Sequence, residues 1–277
     1  MFNISRSTVS TGVVSDDYMK RYAPSIFAEQ AHERTSNRYT YIPTIQIVNA
    51  MRAEGWHPVR VMESRVRDEA REGYQKHLIR FRHADSLNLN ATQMTLGDSV
   101  PEIVLVNAHD GTSSYQLHGG LYRLVCHNGM IVADSTIEKI TTKHSGDIIG
   151  NVIEGTYKVI DTVPIVAEKI NEMRSLVLSE PEKEIFGRAA LALRWEDGQA
   201  PINERQVVAP RRMADKHSDL WTMFNRTQEN LVKGGVSGWT RTNKRTTTRE
   251  VKSVNENVRL NKALWTLAEE FAKLKTS

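Results

Sequence analysis

Residues 59–83 read VRVMESRVRDEAREGYQKHLIRFRH, and both ends of this stretch alternate in polarity. Val59–Arg67 and Gln75–His83 flank the turn-forming segment Glu69–Gly73, which predicts a β-hairpin. Because side chains alternate along a strand, one face of the second strand is predicted to be largely basic. The residues on that face are Lys76, Leu78, Arg80 and Arg82.

Further strands and helices are predicted on either side of this hairpin. Glu102–Asn107 and Ser113–Cys126 are strand candidates joined around Asp110-Gly111, a dipeptide that favours hairpin turns. Pro43 and Gly55 bound a predicted helix. Four more helical segments are predicted: Asp147–Leu178 with a break near Pro164, Ser179–Trp195 opened by a capping box, Ala214–Lys233, and Asn257–Lys273.

The pattern predicts an α+β fold, with an antiparallel sheet of about four strands packed with helices and a mainly helical, basic C-terminal region. Three segments are expected: an N-terminal arm (1–40), an α+β core (41–196) and the basic helical region (197–277). Residues 234–250, GGVSGWTRTNKRTTTRE, lack periodicity and are predicted to form a flexible loop.

Composition argues against disulfide-bonded, cysteine–zinc, membrane-spanning and secreted proteins. The chain has 277 residues and a single cysteine, Cys126, which cannot form an intramolecular disulfide or a cysteine-based zinc site. No stretch approaches the roughly 18 apolar residues of a membrane span, and residues 1–10 lack the apolar segment of a secretory signal. We therefore expect a cytoplasmic protein without a membrane partner.

Residue types used in catalysis occur at two places, His109-Asp110 near Ser113 and Cys126-His127-Asn128. Adjacent strand residues point to opposite faces, whereas a nucleophile and its base must meet, so catalysis is not expected. The chain also lacks the HExxH and GxxxxGK[ST] motifs. We predict a protein that is not an enzyme and uses no cofactor or metal. An enzyme with a metal held near His109, Asp110 and His127 stays a third interpretation.

Charge is concentrated in one part of the chain. Arg205–Lys262 holds 13 basic and 5 acidic residues, whereas the net charge of the whole chain is only +4. A solvated basic face and a phosphate-binding segment are both compatible with this distribution. Cations interleaved with aromatic residues suit single-stranded nucleic acid, because cations follow the backbone while bases stack on aromatic rings.

Within this segment, helical spacing predicts that Trp221, Phe224 and Trp265 are core residues, whereas Trp239 lies among cations without an obvious core to join. The candidate DNA-binding residues of the segment are Arg211, Arg212, Lys216, Arg226, Trp239, Arg241, Lys244 and Arg245.

Seven motifs resemble a known family over nearly the whole chain. They are Arg38–Ile45, Ser64–Arg67, Asn107–Gln116, Val125–Gly129, Val152–Tyr157, Phe186–Leu191 and Asn261–Trp265. They closely resemble the YafZ/YkfF/YfjQ group of prophage- and plasmid-borne proteins. That group has no assigned function, so the resemblance implies a mobile-element origin rather than a chemistry.

A second resemblance carries a function. Val48–Trp56, the basic hairpin after it and Glu182–Trp195 resemble the core of single-strand annealing recombinases of the Rad-fifty-two type. The resemblance implies an oligomeric ring or arc whose groove holds single-stranded DNA. Carried over by position, the groove residues would be Arg65, Arg67, Lys76, Arg80, Arg82, Lys183, Arg188 and Arg194.

The sequence thus predicts a homo-oligomeric protein of a plasmid or prophage that binds single-stranded DNA without sequence preference and promotes strand annealing in recombination. The alternative hypothesis is an anti-defence or regulatory protein that binds a host protein.

Overall fold

The computed structural model describes residues 12–35, 40–66, 68–87, 98–124, 128–132, 140–142 and 147–277. The chain forms two compact units. Unit 1 comprises Met1–Thr95, Val100–His118 and Lys139–Tyr157, and unit 2 comprises Leu96–Ser99, Gly119–Glu138 and Lys158–Ser277. This division does not coincide with the segment boundaries predicted at residues 40 and 196.

An antiparallel sheet contains the predicted strands. Its members are β1 (Trp56–Glu63), β2 (His77–His83), β3 (Ser99–Asn107), β4 (Tyr115–Arg123), β5 (Asn128–Ile131) and β6 (Ile140–Thr142). The strand order is β1-β2-β3-β4-β5, and β6 pairs with β4. The predicted hairpin is the pair β1–β2, in which Val61 lies opposite Ile79. The α+β class is therefore confirmed.

The helices are α1 (Asp16–Tyr22), α2 (Thr44–Ala53), α3 (Ala84–Leu87), α4 (Ile148–Ile160), α5 (Val163–Ser175), α6 (Glu180–Ala192), α7 (Glu204–Val207), α8 (Leu220–Val232) and α9 (Val254–Thr276). Pro164 stands in the first turn of α5, and the predicted capping box between Ser179 and Glu182 opens α6. In the described helices, none is long and apolar enough to cross a bilayer.

Part of the predicted N-terminal arm packs into unit 1. The side chains of Met19 and Ile26 are fully buried, and the backbone N–H of Val14 donates to the carbonyl of Pro58 at 2.8 Å. Residues 12–35 therefore contribute to a core, since burial of such side chains stabilises the fold.

Helix α8 lies at the centre of unit 2, and all 13 of its residues are buried. Trp221 stacks beside Phe224, and Trp265 of α9 meets Phe224 edge to face at 5.7 Å between ring centroids. These three aromatic residues are confirmed as core residues, and their contacts join α8 to α9.

Arg80 and Arg82 do share one face of β2, but both are only 3% exposed. Arg80 lies 2.8 Å and Arg82 lies 2.9 Å from the carboxylate of Glu102 on β3. Burial lowers the pKa of Arg80, and the charge of Glu102 opposes that shift. The prediction of an accessible basic strand is therefore wrong for these two residues, because their face of the sheet is covered.

Unit 1 also buries a chain of hydrogen bonds. The Ser25 hydroxyl donates to Glu63 Oε2 at 2.5 Å, so its oxygen can accept from His77 Nδ1 at 2.8 Å. Neutral His77 then accepts at Nε2 from the Thr44 hydroxyl at 3.0 Å, and the Thr44 oxygen accepts from His109 Nε2 at 2.9 Å. A neutral His77 fits this network, in agreement with the burial that lowers its pKa.

The buried ion pairs of Arg80 and Arg82 with Glu102 predict that removing this carboxylate costs more stability than removing an exposed one. Glu102→Gln removes the carboxylate charge that both buried guanidinium groups contact and should lower the free energy of unfolding by about 3–5 kcal/mol. Glu256→Gln, which breaks the more exposed pair with Arg259 (2.6 Å), should change it by less than about 1 kcal/mol. Urea denaturation measures both values. Equal effects of the two substitutions would contradict the role given to Glu102.

Acid should destabilise the protein through His77. Burial, and then the neighbouring His109, lowers the pKa of His77 to about 3. Below pH ~6.5 the unfolded chain binds a proton at this residue that the folded chain does not, so stability is lost as the pH falls towards 3, at up to about 1.4 kcal/mol per pH unit. Denaturation of the wild type and His77→Gln at several pH values tests this. An identical slope in both proteins would show that His77 does not contribute.

Candidate nucleic-acid interface

The segment predicted to be a flexible loop, 234–250, instead contains a β-hairpin in unit 2. Strands β7 (Ser237–Trp239) and β8 (Arg245–Thr247) pair antiparallel, with Trp239 opposite Arg245. Asn243 occupies the left-handed region at φ 53° in the connecting turn, a conformation that asparagine tolerates. The loop prediction is wrong because three-residue strands are too short to show a period of two.

The hairpin packs closely against the loop that precedes α7. The backbone N–H of Trp239 donates to the carbonyl of Pro201 at 2.8 Å, and the Gln206 side chain donates to the carbonyl of Ser237 at 2.9 Å. A Cβ atom at Gly238 would lie 1.9 Å from the Pro201 oxygen. Only glycine therefore allows this approach, which fixes one face of the hairpin.

Arg194, a predicted DNA-binding residue, holds the end of the hairpin segment. Its guanidinium donates to the carbonyls of Leu231 and Arg249, the latter at 2.5 Å, and lies 4.6 Å above the ring of Trp195. Burial lowers its pKa, and the charge of Glu256 opposes that effect. Because its guanidinium N–H groups donate to backbone carbonyls, Arg194 positions the hairpin rather than offering an open contact to a phosphate.

The opposite side of the hairpin is a cationic surface. We call Trp239, Arg241, Lys244, Arg245 and Arg249 the hairpin surface; all five are exposed, and Trp239 is 56% exposed. The guanidinium of Arg245 lies 5.8 Å from the ring centroid of Trp239. Among the described residues, no carboxylate forms an ion pair with its four cations. The structure thus brings together the predicted residues 239, 241, 244 and 245 and adds Arg249.

Three other predicted cations in this region have partners within unit 2. Arg211 donates to the Asn230 side chain at 2.6 Å, and Arg212 binds Glu229 at 2.8 Å. Arg226 is 7% exposed, and burial lowers its pKa. Arg226 is therefore inaccessible and Arg212 is half-buried in ion pairs, whereas Arg211 and Lys216 are exposed.

The predicted cations of α6 differ in accessibility. Lys183 lies 2.6 Å from Glu180 and donates to the Ser218 hydroxyl at 2.9 Å. Arg188 is 72% exposed, with Glu204 at the limit of an ion pair, 3.9 Å away. Arg188 could therefore meet a ligand, while Lys183 is held by two partners.

The remaining predicted groove residues lie in unit 1 or outside the described residues. Arg65 is exposed and Lys76 is half-buried. Arg67 lies outside the residues that the structure describes, as does His127 of the enzyme interpretation. Across the described ranges, no group of three or more His, Cys, Asp or Glu residues could hold a metal ion.

Comparison with known proteins matches most of the chain. The family model described as "Domain of unknown function (DUF932)" matches residues 31–265. Two proteins of Escherichia coli (strain K12), UPF0380 protein YfjQ and UPF0380 protein YafZ, are each 43% identical over 249 residues, which cover 90% of this chain and 88% of theirs. No solved structure matches the chain.

The close contact between Gly238 and the Pro201 carbonyl predicts that a larger residue at 238 makes the hairpin more susceptible to proteolysis. Gly238→Ala drives a methyl group into the Pro201 carbonyl, so β7 must move away. The backbone around the already exposed Arg241 and Lys244 then gains the local mobility that cleavage by trypsin requires. We expect cleavage in residues 239–249 at least severalfold faster than in wild type, measured by mass spectrometry of timed digests under native conditions. The exposed neighbour Ser237→Ala is the control and should digest at the wild-type rate. Wild-type kinetics in Gly238→Ala would refute the docking.

Proposed function

The chain belongs to the DUF932 family, and we propose that it binds single-stranded DNA through the hairpin surface and promotes annealing of complementary strands. The family assignment agrees with the YafZ and YfjQ resemblance in the sequence. Those relatives carry no assigned function, so the support for the proposal comes from the residues of this chain.

One observation supports the proposal most strongly: an exposed tryptophan lies among four exposed cations that have no carboxylate ion pair within the described part of the chain. Carboxylates neutralise Arg80, Arg82 and Arg212 elsewhere in the chain. On the hairpin surface no described carboxylate neutralises the positive charge, which can therefore attract a polyanion.

The chemistry suits an extended single strand. Lysine and arginine neutralise phosphates without reading the sequence, and an aromatic ring accepts the face of any base. Stacking contributes about 1–3 kcal/mol per base, and Trp239 is available for it. A strand bound by its backbone keeps base edges available to a complementary strand, which is the requirement for annealing.

The wider proposal follows from that role. The protein acts as a homo-oligomer, in a ring or arc along the strand, so that the bound DNA stays extended over many nucleotides. It is not an enzyme and needs no cofactor, metal or membrane. It acts in the cytoplasm, on the DNA of a plasmid or prophage, in recombination.

The proposal predicts a steep salt dependence. With Z near four phosphates neutralised, the slope of log affinity against log salt should be about −3, so affinity should fall roughly 50-fold between about 50 and 200 mM salt. Replacing Trp239, Arg241, Lys244 and Arg245 together with Ala should flatten the slope and abolish most binding. Fluorescence anisotropy with oligonucleotides of different sequence measures both effects.

Lys273→Ala, an exposed cation on α9, is the matched control and should bind and anneal as wild type. An annealing assay with complementary oligonucleotides should show acceleration by wild type and its loss in the fourfold variant. Absent or salt-independent binding would overturn the proposal. A host-protein complex that survives nuclease treatment, without DNA affinity, would favour the alternative function instead.

A further inference from the structure

Beside the hairpin surface lies an open cleft of about 520 Å³, which we call the hairpin cleft. This volume falls in the usual range of small-ligand sites. Its walls come from the loop that follows α6 and from the hairpin. Its lining includes Arg194, Trp195, Thr240, Arg241, Thr242 and Arg249.

One part of the hairpin cleft offers donors for an anion. Arg241 and Arg249 are exposed, and neither forms an ion pair with a carboxylate of the described residues. Thr240 and Thr242 place their hydroxyl oxygens 3.0 Å apart on the same wall. Guanidinium groups and hydroxyls are the side chains that bind phosphate oxygens in charge-assisted hydrogen bonds.

The lining of the hairpin cleft also includes an aromatic platform. The half-buried Trp195 carries the guanidinium of Arg194 over its ring at 4.6 Å. The carbonyls of Leu231 and Arg249 fix that guanidinium, so the two planar groups are preorganised. A nucleobase can stack on such a pair whatever its identity, because every base has a π-face.

We propose that the hairpin cleft holds one nucleotide unit of the bound strand, with its phosphate at Arg241 and Arg249 and its base against the Trp195–Arg194 pair. This inference rests on the proposed function and adds a defined binding unit to it. Donors and an aromatic platform in one cleft favour a nucleoside phosphate over a simple anion, which would use only the donors.

Calorimetry at low salt tests the cleft with dAMP, and with deoxyadenosine and inorganic phosphate as its two parts. The intact nucleotide should bind at least about tenfold more tightly than either part. Trp195→Ala and Arg249→Gln should each weaken dAMP binding by at least about fivefold. Arg249 is exposed, so its variant tests the site even if Trp195→Ala does not fold. Lys273→Ala is the control and should match wild type.

Binding of dAMP no tighter than that of phosphate, or unchanged in Arg249→Gln, would overturn the inference. If Arg249→Gln also keeps full affinity for an oligonucleotide while the fourfold hairpin variant loses it, the cleft is refuted and the proposed function stands. If the wild-type protein binds no oligonucleotide, both fall.

Discussion

Every side chain of helix α8 is buried, although the six consecutive residues Asn225–Asn230 are polar or charged. Burying such groups without partners would be strongly unfavourable, so each requires a hydrogen bond or counter-charge from its surroundings. Arg212 supplies the counter-charge for Glu229, Arg211 bonds the last amide of this run, and Arg226 donates to the carbonyl of His217. Basic residues on α8 itself and just before it thus supply partners for this polar run.

The same helix determines where the remaining cations stand. Its C-terminal turn offers the carbonyl of Leu231 to Arg194, and the carbonyl of Val232 accepts from the N–H of Val251 at 2.9 Å. The segment that follows β8 is therefore bonded to the end of α8. Gly238 allows β7 to pack against Pro201 in the loop before α7. A rigid base of this kind holds the exposed cations in place, which lowers the entropy lost when they bind a ligand.

Features set by neighbouring residues could be predicted from the sequence, whereas those set by distant ones could not. The capping box at Ser179 and the position of Arg80 and Arg82 on the same face of β2 follow from local spacing. Burial of those two arginines depends on Glu102 from another strand, and no local pattern encodes that pairing. The exposure of Trp239 could be predicted because its segment offers no apolar stripe, but the hairpin that carries it is too short for periodicity to reveal.

Counting basic residues therefore overestimates the candidate binding surface, and ion pairing decides which of them can meet a phosphate. The central claim is that single-stranded DNA contacts the hairpin surface rather than the other basic segments. Hydrogen–deuterium exchange with and without an oligonucleotide tests it most directly. The account predicts slowed exchange concentrated in residues 237–249, with no change in β2 or in residues 211–232. Protection of β2 or of residues 211–232, with none in the hairpin, would contradict it.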